Sequence, residues 1–195
     1  MKNDAKLKGK DLINIGIYAA IYCVIMTAVA MLGFIPIMMP MLCVLVPFLG
    51  GIPYMLFLTK VDKFGMITIY SIIVGLFLWV TGMGYWPFIF GIIFGFIADF
   101  VAKTGSYKSG MKDILSSGIF NLVIFGNFVP LIINADEYFK TRQSFSEDYV
   151  NELSQIMGHS WLMPTLAVAS VVFGILGGML GKRVLKKHFE KAGIA

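Results

Sequence analysis

The residues best suited to chemistry in this sequence are eight aromatic, amide and imidazole side chains, most of them near the ends of long apolar segments. They are Trp79, Tyr85, Trp86, Asn121, Asn127, Asn134, His159 and Trp161. Aromatic walls with a few placed hydrogen-bonding groups are what a pocket for a small organic ligand needs. Each residue also has a plainer role open to it, because aromatic rings favour a lipid–water boundary and buried amides bond between helices. The sequence predicts a substrate pocket from these residues and leaves that plainer role open.

Other kinds of chemistry have little support in the sequence. No His, Cys and carboxylate cluster has metal-ligand spacing, and no Gly-x-Ser-x-Gly nucleophile elbow is present. Gly181 and Lys182 are like the end of a phosphate loop, but Arg183 stands where Ser or Thr is required. Cys23 and Cys43 lie in apolar runs and are interpreted as buried thiols. We therefore expect no metal, no cofactor and no enzymatic activity.

The elements that position these residues are predicted to be membrane-spanning helices. The chain is 58% hydrophobic and only 14% charged, with a mean hydropathy of +0.82, unlike a soluble domain. A helix needs about 20 apolar residues to cross a hydrocarbon core of ~30 Å. Residues 64–98 hold no charged side chain and are broken once, by a Gly- and Pro-containing turn at 81–87. This stretch predicts two spans in a tight hairpin.

Four further apolar segments bring the predicted total to six spans, all within one membrane domain over residues 1–195. The segments are residues 12–33, 39–58, 114–133 and 161–181. Pro47 predicts a kink or local unwinding of the second span, since proline removes a backbone donor. Gly91 and Gly95, four apart, predict a close-packing face on the fourth span. The fold class is therefore an all-α integral membrane protein.

Residues 134–160 form the one long polar loop. Ser144 and Glu147 have the spacing of a capping box. Apolar residues then recur at helical spacing: Tyr149, Val150, Leu153, Ile156 and Met157. We expect a short amphipathic helix on the membrane surface.

The distribution of positive charge sets the predicted orientation. Of the sixteen Lys and Arg residues, only Lys140 and Arg142 fall on the side opposite the termini. The positive-inside rule therefore places the basic segments 1–11 and 182–195 in the cytoplasm and the loop 134–160 outside. The net charge of +5 follows from this bias, so no nucleic-acid partner is expected. Asp99, with Lys103 one turn later, is interpreted as a structural pair at the cytoplasmic edge.

Small residues cluster on the first predicted span. Gly16, Ala19 and Ala20 lie close together, and Gly16-x-x-x-Ala20 places two of them on one face. Such a face lets a second backbone approach closely in lipid. Both packing within the bundle and docking of another protein are compatible with it.

These features together resemble a known family. The basic N-terminus leading into a small-residue face, the Gly/Pro-rich second span, the Gly-Phe-Ile-Ala-Asp99 end of the fourth span and the basic tail carry the resemblance. They are similar to the substrate-binding S component of energy-coupling factor (ECF) transporters, and within these to the MptD or Trep_Strep type.

The resemblance implies a vitamin or similar micronutrient, such as a thiamine-precursor pyrimidine, bound from outside. It also implies docking on one membrane coupling protein, the T component, and two cytoplasmic ATPase subunits. The family's docking face maps onto Gly16, Ala19, Ala20 and Cys23, with Gly16 replacing the first alanine of the usual Ala-x-x-x-Ala. The short apolar loop 34–38 leaves little capacity for a charged ligand. A self-sufficient oligomeric carrier or channel is the alternative, and an intramembrane enzyme ranks third.

Overall fold

The computed structural model describes residues 6–133, 138 and 146–189, and no β-strand occurs among them. The main helices are α1 (Gly9–Ala30), α2 (Met38–Leu58), α3 (Met66–Leu78), α4 (Trp86–Thr104), α5 (Gly110–Phe120), α6 (Glu147–Met157) and α7 (Leu162–Val184). Six stretches are long and apolar enough to cross a membrane: Gly9–Phe34, Met38–Leu58, Met66–Met83, Trp86–Thr104, Gly110–Leu131 and Leu162–Lys187. The predicted all-α fold with six spans is therefore confirmed.

The fifth span is the most irregular of the six. Beyond α5 it continues through the short helices Leu122–Phe125 and Val129–Ile133, with the 3-10 turn Gly126–Phe128 between them. The first span likewise ends in a 3-10 turn, Met31–Phe34, and the third in a π turn, Trp79–Met83.

The basic segments of the described chain gather at one end of the bundle. The Lys63 ammonium lies 2.6 Å from the Asp11 carboxylate, which also accepts the backbone N–H of Lys8 at 2.8 Å. This cap lets α1 begin at Gly9, earlier than the apolar pattern predicts. The Lys182 side chain lies against Gly110. We call this the cytoplasmic end, following the charge bias, and the opposite one the outer end.

The sixth span extends further than the sequence predicts. Its apolar pattern ends at Gly181, yet α7 continues through Lys182 and Arg183 to Val184. Both basic residues are good helix formers and are favoured in a last helical turn. The beginning of the predicted basic tail therefore belongs to the helix.

The second span remains one helix from Met38 to Leu58, with Pro47 and Pro53 inside it. Of the two outcomes predicted near Pro47, a kink or a local unwinding, the unwinding does not occur. An unwound turn would leave several backbone groups unpaired at membrane depth, whereas one proline removes a single donor. Close packing also holds the segment, because a Cβ added to Gly51 would lie 2.1 Å from the Gly177 carbonyl carbon of α7.

The hairpin of α3 and α4 is held by the predicted glycine face. A Cβ added to Gly91 would lie 2.7 Å from the Ser71 carbonyl oxygen, and one added to Gly95 would lie 2.4 Å from the Ser71 Cβ. The two backbones therefore meet at a distance that only glycine permits. The Gly91–Gly95 prediction is confirmed.

A network of buried polar groups crosses the centre of the bundle. The Tyr22 hydroxyl donates to Asn121 Oδ1 at 3.0 Å, and Asn121 Nδ2 donates to the Ser117 carbonyl at 2.7 Å. Beside it, the Tyr54 and Ser116 hydroxyls lie 2.7 Å apart. The side chains of Tyr22, Tyr54, Ser116, Ser117 and Asn121 are fully buried. The network therefore joins α1, α2 and the fifth span through satisfied hydrogen bonds.

Asp99 is structural, but its partners differ from the predicted one. The buried carboxylate accepts the backbone N–H of Gly65 at 2.8 Å and of Thr68 at 3.1 Å, which caps the start of α3. It also accepts the Tyr107 hydroxyl at 2.9 Å. Burial, with Asp99 beside it, raises the pKa of Tyr107, so this hydroxyl stays a donor. The Lys103 ammonium instead lies over the Phe64 ring, 4.7 Å from its centroid.

The predicted amphipathic helix is present as α6, at the outer end. Ser146 caps it by accepting the Tyr149 backbone N–H at 3.3 Å. The predicted cap residue, Ser144, lies outside the described residues. The predicted apolar face is buried at Tyr149, Leu153 and Met157. This face packs on a second apolar core with Cys43, Phe128, Leu131, Tyr138 and Leu166.

Candidate functional site

A cavity of about 310 Å³ opens among the outer ends of the first, second, third and fifth spans. Its floor is formed by buried apolar side chains, one or two from each span: Met26, Leu42, Val46, Leu78 and Ile124. These residues follow the core-facing stripes of their helices. Since ligand pockets commonly measure about 300–1,000 Å³, the volume suits a small molecule.

The mouth of the cavity is formed by exposed residues of two turns. Phe34, from the 3-10 turn that ends the first span, is 69% exposed. Thr81 and Gly82 come from the π turn that ends the third span. Gly82, at φ 90°, and Gly84, at φ 86°, adopt the left-handed backbone that reverses the chain into α4. This turn positions Thr81 at the rim.

Asn127 supplies the distinctive polar group of the cavity. The 3-10 turn Gly126–Phe128 places this residue in the cavity lining. The Asn127 Nδ2 donates to the Ile124 carbonyl at 3.0 Å. The Oδ1 atom is buried and has no hydrogen-bond partner within the described chain. A buried acceptor without a partner is costly, and a ligand donor that reached this oxygen would remove that cost.

The surface helix α6 braces one wall of this cavity. The Tyr149 hydroxyl donates to the Gly33 carbonyl at 2.5 Å, and Gly33 lines the cavity. Phe128, also in the lining, packs in the same apolar core as Leu153 of α6. A displacement of α6 would therefore move Gly33 and Phe128 in the cavity wall.

A second concave surface lies on the lipid-facing side of α1. This groove measures about 630 Å³ and runs between α1 and α3. All four predicted docking residues line it: Gly16, Ala19, Ala20 and Cys23. Gly16 and Ala20 are exposed, whereas Ala19 and Cys23 are buried at its base. Ile73 and Phe77 of α3 form the opposite wall.

The arrangement of possible metal ligands can be stated for the described part of the chain. Within residues 6–133, 138 and 146–189, no group of three His, Cys, Asp or Glu side chains is placed to hold a metal ion. The thiols of Cys23 and Cys43 are buried and free, as predicted.

Comparison with known proteins gives the family of this chain. The sequence model of a family described as hypothetical bacterial integral membrane proteins, Trep_Strep, matches residues 9–191. The chain belongs to the Trep_Strep family. No curated protein and no solved structure matches it. Together with the six apolar helices, the family makes this a multi-pass membrane protein of bacteria.

Of the eight predicted substrate-binding residues of this Trep_Strep protein, Asn127 lines the cavity. Asn121 lies deeper, in the buried network with Tyr22. The other described residues lie outside the cavity lining: Trp79, Tyr85, Trp86, His159 and Trp161. Asn134 lies outside the described residues.

The aromatic candidates of the Trep_Strep chain pair mainly with one another near the outer surface. Tyr85 stacks on Trp86 with ring centroids 5.3 Å apart, and His159 stacks on Trp161 at 6.1 Å. Trp79 packs on Phe88 at 5.3 Å. Aromatic rings at helix ends are typical of a membrane boundary.

Sequence reasoning missed most of the cavity wall. Met26, Leu42, Val46 and Ile124 have the same type and spacing as ordinary core residues, so no sequence signal separates them from the core. The available signal was the short apolar turn at 34–38, whose Phe34 lies at the mouth.

Proposed function

We propose that this chain is the substrate-binding subunit of an ECF-type importer. It captures a vitamin or related micronutrient outside and delivers it through a module of one membrane coupling protein and two cytoplasmic ATPases. The chain itself has no ATPase and no other enzymatic activity. A thiamine-precursor pyrimidine is one compound to test.

The observation that carries this proposal is the position of the two concave surfaces on one helix. Met26 and Ala30 of α1 line the cavity, while Ala20 and Thr27 of the same helix line the groove. On this proposal, a ligand that shifts α1 from the cavity side also changes the surface that α1 offers to a partner in the groove. Such a coupling between sites is what a substrate-dependent docking step requires.

The groove is suited to a helical partner in the membrane. Gly16 has no atom within 4 Å of an added Cβ, and Ala20 is exposed, so a second backbone can approach there. Small residues allow that approach in lipid, where burial of apolar surface does not drive association.

Two substitutions test the docking role. Ala20→Trp and Gly16→Leu should fold normally, because both positions face open space. Both should abolish uptake by the complete transporter, since the added bulk blocks the groove, and both should leave ligand binding intact. The measurement is ATP-dependent uptake by cells and ligand retention by the purified chain.

The matched control is Val168→Trp, which introduces the same side chain as Ala20→Trp at a 64% exposed position of α7, outside the groove. Uptake should survive this change. If uptake also survives Ala20→Trp and Gly16→Leu, the docking role is wrong. Mass spectrometry of small molecules retained by the purified chain would identify the compound to use.

A further inference from the structure

We propose that the outer cavity takes a small, electrically neutral molecule, apolar over most of its surface, that donates one hydrogen bond to Asn127 Oδ1. This inference rests on the proposed function in treating the cavity as the ligand site. It goes further by assigning the chemical class of the ligand.

The neutrality of the ligand follows from the cavity lining. Its described residues include no Asp, Glu, Lys, Arg or His. Thr81 is the hydroxyl in the lining, and it already donates within its own helix, 2.9 Å from the Phe77 carbonyl and 3.0 Å from the Leu78 carbonyl. A charged group buried against this lining would lose its hydration without gaining a counter-charge. Phosphorylated and carboxylated compounds are therefore disfavoured.

The hydrogen-bond donor follows from the geometry of Asn127. A carbonyl oxygen accepts only from a donor, so the bond to the Ile124 carbonyl fixes Nδ2 on that side of the amide. This leaves Oδ1 as the buried acceptor without a partner in the described chain. This oxygen is closed off from the cavity in the structure, so the Asn127 side chain must turn before a ligand hydroxyl, amine or ring N–H can satisfy it.

The apolar character follows from the floor. Met26, Val46, Leu78 and Ile124 are nearly fully buried and offer no polar group to a ligand. The part of the ligand that reaches the floor gains by burying apolar surface. A thiamine-precursor pyrimidine carries several polar groups, so it ranks below an apolar ring with a single donor.

Three matched naphthalene probes test this class on the purified full chain in lipid nanodiscs. They are 2-naphthol, which is neutral at pH 7 and has one donor, 2-methoxynaphthalene, which has none, and 2-naphthoate, which is an anion. Probe fluorescence is titrated against nanodiscs of the wild type and of Asn127→Leu, so that partition into lipid cancels between the two. The wild type should bind 2-naphthol about five- to tenfold more tightly than 2-methoxynaphthalene, the range that one net hydrogen bond supplies.

The variants fix the location of the binding. Asn127→Leu should remove the preference for 2-naphthol, because the acceptor is gone. Ala30→Phe should abolish binding of both neutral probes by filling the cavity, whereas Val168→Phe, on the exposed face of α7, should leave them unchanged. The inference is overturned if 2-naphthoate binds as well as 2-naphthol, if the preference survives Asn127→Leu, or if none of the probes binds.

These outcomes are separable from those of the proposed function. If uptake proves independent of any ATPase partner but the 2-naphthol preference behaves as described, the importer role fails and the ligand class stands. If Ala20→Trp abolishes ATP-dependent uptake but the purified chain retains an anion, the role stands and the ligand class is wrong.

Discussion

Asn121 and Asn127 show how the position of a single polar residue decides its role. Both amides lie on the fifth span, and sequence reasoning gave both the same two alternatives. In the structure the Asn121 side-chain oxygen accepts a hydrogen bond from Tyr22, and its nitrogen donates one to the Ser117 carbonyl. In Asn127 only the side-chain nitrogen makes a hydrogen bond, which it donates to the Ile124 carbonyl. The first is therefore part of the framework, and the second keeps a buried acceptor without a partner in the described chain.

The buried network predicts a cost for removing one hydroxyl. Tyr22→Phe should lower the free energy of unfolding by about 1–3 kcal/mol, because it leaves Asn121 Oδ1 unpaired inside the bundle. The measurement is unfolding of the purified chain in mixed micelles with increasing SDS. Tyr18→Phe is the matched control, one turn away on α1. Tyr18 makes no hydrogen bond in the described part of the chain, so an equal loss in both variants would contradict this role of Tyr22.

Residue roles were only partly predictable from the sequence. Trp79, Tyr85 and Trp161 were chosen for their aromatic type, yet all three are about half exposed or more. Ring type and distance along the chain do not show which way a side chain points at a helix end. That direction is set by the π turn Trp79–Met83 and by the packing of neighbouring helices.

At the scale of helices, the bundle depends on backbone contacts at glycine and on one buried cap. The α2–α7 pair meets at Gly51 and Gly177, and the α3–α4 pair meets at Gly91 and Gly95. Asp99 then ties the start of α3 to α4 and to Tyr107. These contacts hold the helices whose outer ends form the cavity.

The two interpretations of Asp99 give different predictions. Asp99→Asn should destabilise the protein by about 1.5–3 kcal/mol, because the carboxylate accepts several hydrogen bonds at the start of α3. Lys103→Gln should cost less, about 0.5–1 kcal/mol, since its ammonium contacts only the Phe64 ring among the described residues. Thermal unfolding in detergent measures both. Equal losses would favour an Asp99–Lys103 pair instead.

Glycines in close contact and glycines in open space should respond differently to substitution by alanine. Gly177→Ala should destabilise by about 1–3 kcal/mol, because its Cβ would lie 2.5 Å from the carbonyl oxygens of Pro47 and Phe48. Gly16→Ala should instead stabilise α1 by up to about 1 kcal/mol, since the added methyl meets no atom within 4 Å. Unfolding in mixed micelles distinguishes the two. A harmless Gly177→Ala would contradict the close contact of α2 with α7.

The helices were the most predictable part of the molecule. Hydropathy located all six spans and the amphipathic α6, because lipid imposes length and apolar composition on each span. Helix ends were less predictable, since they depend on hydrogen bonds to caps such as Asp11 and Ser146. The sequence does not show which of several polar residues makes such a bond. The continuity of α2 through Pro47 depends on its packing against α7, which a single segment does not reveal.

At the scale of the whole molecule, α1 connects the two concave surfaces. Its inner face lines the cavity at Met26 and Ala30, and its lipid-facing side carries the groove at Gly16 and Ala20. A protein that captures a ligand and presents itself to a partner needs both surfaces within reach of each other. We propose on this basis that ligand capture belongs to this chain and that the energy for uptake comes from outside it.

Uptake into liposomes tests that claim most directly. The compound retained by the purified chain, radiolabelled, is offered to liposomes that contain the chain alone or the chain with its coupling protein and ATPases. We predict that the compound accumulates only with the partners and ATP, and that Ala20→Trp abolishes the accumulation. Accumulation by the chain alone, driven by an ion gradient, would contradict the account and identify a self-sufficient carrier.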